Sequence, residues 1–148
     1  MTLVLDASVI LKWLLEAPER EPDTDKAMGL VKDVIEGRYA ILQPVHWLAE
    51  VAAVLARLTP DTASEDVELL GALQWPVTDD LAVMRRATQL AIKTGAHLFD
   101  TLYHAVALEL PDAVFITADE RYFEKSKSAG RIQVLANWGG RGLTHERP

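Results

Sequence analysis

The chain has 148 residues, 49% of them hydrophobic and 25% charged, a balance that suits one globular domain with a full core. It has no cysteine, which excludes disulfides and thiolate metal sites and fits a cytoplasmic location; no apolar run approaches the ~20 residues of a membrane span. A net charge of −7 disfavours a broad electrostatic nucleic-acid binder, though not one whose acidic site holds a cation beside local lysines and arginines.

The first residues, Met1 to Asp6, have no basic stretch and reach a carboxylate too early for a signal peptide. Leu3, Val4 and Leu5 form a short strand ending at Asp6, and an apolar helix is expected over 8–16. Pro18 and Pro22 break it, and 19–25 reads as a surface loop. A second helix follows over 24–36, stopped by Gly37. Ala40, Ile41 and Leu42 make another strand, and Pro44 suits the first turn of a third helix running to Leu58. A helix over 61–73 and an edge strand at Trp75, Pro76 and Val77 come next. Thr78 or Asp79 caps a helix over 81–94, and Gly95 ends it.

The chain is organised around 98–123. A helix is expected over 100–110, opened by Asp100, then a strand over 113–117 with no polar alternation, as in a parallel sheet covered on both faces. An acidic turn, Ala118-Asp119-Glu120, follows, with a helical turn near Tyr122. The last strand covers 132–135, and 139–148 is a polar, glycine-rich tail after a domain of 1–138. Alternating strands and helices give an α/β fold: a sandwich with a mostly parallel sheet of four or five strands.

In such a sheet Asp6 and Asp119 both stand at the carboxyl ends of strands, where open α/β sheets place ligands. Asp100 stands at a helix start. Glu50 lies roughly 9 Å along the third helix, enough to reach over the strand ends. Two carboxylates about 4 Å apart repel by about 4 kcal/mol at an effective dielectric near ~20, so either some are protonated or a divalent cation sits among them. The histidines His46, His97, His104 and His145 show no ligand-pair spacing, so oxygen ligands would hold a cation such as Mg²⁺ or Mn²⁺. Each acid also has a plainer reading: Asp6 and Asp100 as helix caps, Asp119 as a turn residue, and Glu50 on a solvated stripe with His46 and Arg57.

VLDASV at the start, Trp47-x-x-Glu50-Val51, Phe99-Asp100-x-x-Tyr103-His104-Ala105 and the strand ending Thr117-Ala118-Asp119 resemble, in that order, the PIN domain. In size and layout, over 3–138, the chain is similar to the VapC-type toxins of type II toxin–antitoxin pairs. The resemblance implies a three-layer fold and a metal-dependent endoribonuclease that hydrolyses RNA phosphodiesters. Its acidic quartet falls on Asp6, Glu50, Asp100 and Asp119, supported by Ser8 and Thr117. Asp6 and Asp100 are the first choices as direct ligands of Mg²⁺ or Mn²⁺; Asp119 and Glu50 bind through water or position the nucleophile. The resemblance also implies a homodimer silenced by a VapB-like antitoxin, for which Trp13, Leu14, Leu15 and Trp47 offer apolar surface. Tyr103 and His104 are open to either a substrate contact or a structural role. Lys12, Arg20, Arg85, Arg86, Lys93, Arg121, Lys125 and Lys127 are candidates for steering RNA.

Three rival readings remain. An aspartate-nucleophile phosphatase needs a second Asp where Ser8 stands, and a receiver-like domain needs an N-terminal acidic pair. A non-catalytic PIN binding module would be expected to lack part of the quartet. Within the nuclease reading, a stand-alone RNA-processing enzyme is the alternative to a toxin.

Overall fold

A computed structural model describes residues 1–15 and 22–139. The strands are β1 (Thr2–Leu5), β2 (Ala40–Ile41), β3 (Gln43–Pro44), β4 (Val77–Thr78), β5 (Ala113–Thr117) and β6 (Ile132–Val134). The helices among the described residues are α1 (Ala7–Leu14), α2 (Pro22–Ile35), α3 (Trp47–Leu58), α4 (Ala63–Ala72), α5 (Leu81–Thr94), α6 (Leu98–Leu108) and α7 (Glu120–Ser126). None is long and apolar enough to cross a membrane.

The fold is α/β, as expected: four parallel strands in the order β2-β1-β5-β6, flanked by helices. Leu3, Val4 and Leu5 are all fully buried, as are Phe115 and Ile116. Consecutive side chains on a strand point to opposite faces, so burial of every one requires cover on both. The apolar runs of β1 and β5 therefore fix the centre of the molecule.

Among the described residues there is no fifth strand in this sheet. Residues 75–77 were expected to form an edge strand, but the paired residues are Val77 and Thr78, which form with β3 a separate two-stranded parallel sheet. Pro44 lies in β3 rather than in the first turn of α3. Gln43 explains the division. It is fully buried; its amide donates to the Leu5 carbonyl at 2.9 Å, and its Oε1 accepts the Leu5 N–H at 2.7 Å. One side chain thus stands in for the backbone of β2 beside the last residue of β1, while the Gln43 N–H turns to the Pro76 carbonyl at 3.0 Å.

Other boundaries shift for local reasons. Pro22 opens α2 instead of ending α1, so 22–25 is helix and not loop; a missing N–H costs nothing in a first helical turn. Asp80, not Thr78 or Asp79, caps α5, its Oδ1 accepting the Ala82 N–H at 3.0 Å. α6 starts two residues before Asp100, because His97 caps it through Nδ1, which accepts the Phe99 N–H at 3.0 Å. Leu135 falls in a helical turn after β6. The expected end of the first helix at Glu16, the break at Pro18 and the tail beyond Gly139 lie outside the described residues.

Candidate active site

β1 and β5 are neighbours, yet each continues to a strand on its other side, β1 to β2 and β5 to β6. A crevice opens where connections diverge in this way, outside the carboxyl ends of the strands. Register pairs Leu5 with Ile116, which sets Asp6 beside Thr117 at that point.

Asp6 occupies the N-cap position of α1, yet its carboxylate makes no cap bond. Its Oδ2 instead accepts from the hydroxyls of Ser8 and Thr117, the latter at 3.0 Å. Both hydroxyls are also tied to the turn after β5: Ser8 Oγ accepts the Ala118 N–H at 3.1 Å, and Thr117 Oγ1 the Asp119 N–H at 3.0 Å. Burial pushes the Asp6 carboxyl up to about 6, against the two hydroxyl bonds and with the charges of Glu50 and Asp100 adding to it.

Glu50 comes from α3, half-buried, and Tyr103 on α6 donates to its Oε1 at 2.8 Å. Burial holds the Glu50 carboxyl above its usual range, offset by that bond. Tyr103 is fully buried and stacks on Phe115 at 5.8 Å. His104, also fully buried, hydrogen-bonds the Tyr122 hydroxyl at 2.9 Å and the Gly130 carbonyl at 2.8 Å, joining α6 to α7 and the approach to β6. Both are therefore structural, with no face left for a substrate.

Asp100 is the third residue of α6 and half-buried; burial first, then the charges of Glu50 and Asp119, hold its carboxyl up. It is not a cap, since His97 is. Asp119 is exposed and does cap α7, its Oδ1 accepting the Tyr122 N–H at 3.0 Å. The side-chain cap reading thus fails for Asp6 and Asp100, while Asp119, read as a turn residue, is a helix cap that also lies within electrostatic reach of Asp100.

Asp6 feels both Glu50 and Asp100, and Asp100 feels Glu50 and Asp119. Among the described residues, however, no three acidic or histidine side chains stand close enough to hold a metal ion without moving. The donor chemistry still fits a hard dication: the donors are oxygens, and burial raises three of the four carboxyls, with neighbouring carboxylates adding to the rise at Asp6 and Asp100.

The structure also sorts the basic residues, which sequence reading left undivided. Arg121 and Lys125 line a cleft of about 260 Å³ together with Gly95, His97, Asp100 and Asp119. They form no ion pair among the described residues, whereas Arg86 is bound to Glu109 at 2.8 Å and Lys127 to Glu124 at 2.8 Å. The i, i+4 spacing of Arg121 and Lys125 just after Asp119 is a signal that singles them out in hindsight. Arg20 lies outside the described residues.

A family model for the PIN domain matches residues 3–127. No curated protein matches the chain.

Proposed function

The chain belongs to the PIN domain family, and from that premise we propose that it is a divalent-metal-dependent endoribonuclease, the toxin of a VapBC-type pair, acting in the cytoplasm through Asp6, Glu50, Asp100 and Asp119. PIN domains are generally nucleases that typically use divalent metals, and PIN nucleases generally bind RNA. The observation that carries the finer reading is the buried Asp6 carboxylate, set at the divergence of β1 and β5 and coupled to Glu50 and Asp100.

Asp6 and Asp100 would hold Mg²⁺ or Mn²⁺, with Glu50 and Asp119 acting through water. Bound there, such a cation supplies charge neutralisation at the phosphate and a lowered pKa for water. The residues themselves do the rest. Ser8 and Thr117 fix Asp6 through Oδ2, leaving Oδ1 without a hydrogen bond among the described residues. Glu50, positioned by Tyr103 and held above the usual carboxylate range, is suited to take the proton of the attacking water. Arg121 and Lys125 bind the phosphate from the cleft.

We assign this activity to residues 1–138, with 139–148 as an appended tail. Homodimer formation and silencing by an antitoxin follow from the resemblance to VapC-type toxins. A groove of about 550 Å³ lined by Trp13, Leu14, Met28, Leu69, Leu73 and Trp75 supports an apolar partner, and the buried Trp13 indole N–H there has no acceptor among the described residues.

The test is cleavage of end-labelled single-stranded RNA with Mg²⁺, Mn²⁺ or EDTA, beside Asp100→Asn. Cutting that both EDTA and the substitution abolish is the expected result. Metal-independent cutting, or cutting unaffected by Asp100→Asn, would sink the assignment.

A further inference from the structure

Phe99 directly precedes Asp100 on α6 and is 47% exposed. An exposed ring is ordinarily mobile, but this one stands on a backbone fixed from two sides. The Phe99 N–H donates to His97 Nδ1 at 3.0 Å, and its carbonyl accepts from His46 Nε2 at 2.9 Å. The ring is also flanked by both imidazoles, His46 with centroids at 4.9 Å and His97 at 4.9 Å. His46 leans in turn edge-on against the buried Tyr103 ring at 4.8 Å. A half-exposed apolar ring is thereby braced by groups that continue into the core.

Both imidazoles that flank the ring, His46 and His97, also lie within electrostatic reach of the Asp100 carboxylate, which sets the ring at the edge of the acidic group. The cleft that holds Asp100 also bears Arg121 and Lys125, unpaired among the described residues. A half-exposed aromatic ring and two cations about one acidic centre match one nucleotide of a single strand, its base and its phosphate. In a duplex the base faces are already stacked on their neighbours, so such a platform has nothing to grip.

We propose that Phe99, braced by His46 and His97, is the stacking platform for an unpaired nucleobase next to the phosphate at Asp100, and so sets the preference of the site for single-stranded over double-stranded RNA. This deepens the nuclease reading of the same site and rests on it for the class of ligand.

The experiment uses a single-stranded RNA carrying 2-aminopurine, bound in EDTA so that nothing is cut, followed by cleavage of the same RNA with Mn²⁺. Wild type, Phe99→Leu and Phe99→Trp are compared with matched circular dichroism. Wild type is expected to quench the aminopurine and to bind the single strand in preference to the duplex. Phe99→Leu keeps apolar bulk but loses the π face; it is expected to bind about tenfold or more weakly, to lose the quench and to raise KM more than it lowers kcat. Phe99→Trp restores affinity and quench. Should Phe99→Leu fail to fold, the tryptophan variant decides alone: a quench at least as deep as wild type is expected, and its loss overturns the platform. Wild-type quench and KM in a folded Phe99→Leu also overturn it while leaving the nuclease reading intact. Phe99-dependent quench without any cutting keeps the platform and overturns the nuclease; no RNA binding by the wild type overturns both.

Discussion

Asp6 is the most buried of the four acids, and its surroundings make it a weak point of the metal-free fold. Its carboxyl is pushed up to about 6 by burial, against roughly 3.9 in an unfolded chain. The folded state therefore holds the proton more tightly, so the stability linked to this group is fully present below about pH 4 and is lost as pH rises through about 6. A shift of about two pH units corresponds to about 3 kcal/mol. Asp6→Asn, which cannot titrate, should gain about that much on wild type between pH 4 and pH 7 in urea denaturation with EDTA present. Parallel pH profiles for the two proteins would show that Asp6 is not desolvated as described. Tyr103 acts on Glu50 in the opposite sense, because its hydrogen bond lowers the carboxyl against burial. Tyr103→Phe should cost about 1 kcal/mol, less than a fully buried charged hydrogen bond since Glu50 can recruit water. If Glu50 accepts a proton in the reaction, the same substitution moves the acidic limb of the pH–rate profile upward. An unmoved limb would assign the base to another group.

Among the elements, the link between α5 and α6 positions the cleft. Gly95 ends α5 with φ of 75°, a left-handed conformation, and among the described residues no atom beyond its chain neighbours lies within 4 Å of where its Cβ would stand. Gly95→Ala therefore meets no clash and should lose only the conformational preference, about 1 kcal/mol in chemical denaturation. A loss several times larger would mean that the α6 start, with His97 and Phe99, had moved as well. The same region shows where sequence reading succeeds and stops. β5 was legible because five residues without polar alternation have one structural meaning, and its boundaries match. β3 and β4 were not, since two residues cannot display a period, and the device that splits the sheets is a glutamine acting as backbone. The start of α6 was misplaced because histidine is not among the usual capping residues. The carboxylates could be placed on one rim because strand ends and helix starts follow from topology. The bonds that tune them could not, since Tyr103 and Glu50 are 53 positions apart.

At the scale of the whole molecule, a chain of net charge −7 must repel RNA at long range, so its affinity has to be local. Besides stacking on Phe99, two electrostatic terms can supply it. A divalent cation among the carboxylates relieves their mutual repulsion; if it binds only the folded protein at about 100 times its Kd, it adds about 2.7 kcal/mol of stability. Mn²⁺ or Mg²⁺ should therefore raise Tm at pH 7.5, and Asp100→Asn should abolish most of the rise. The second term is the pair Arg121 and Lys125, the cations that line the cleft with Asp100 and Asp119. If each neutralises one phosphate, each releases counterions and contributes about 0.7 to the slope of log affinity against log salt for a single strand. Arg121→Ala combined with Lys125→Ala should then flatten that slope by roughly 1.4 and weaken binding alike for all sequences, since phosphates carry no base identity. Arg85→Ala combined with Lys93→Ala, on α5 and outside that cleft, should leave the slope where it was. The reverse outcome would place the RNA backbone along α5 and would detach the cleft from the substrate path. The comparison is decisive because both pairs change the net charge by the same amount, so only position can separate them.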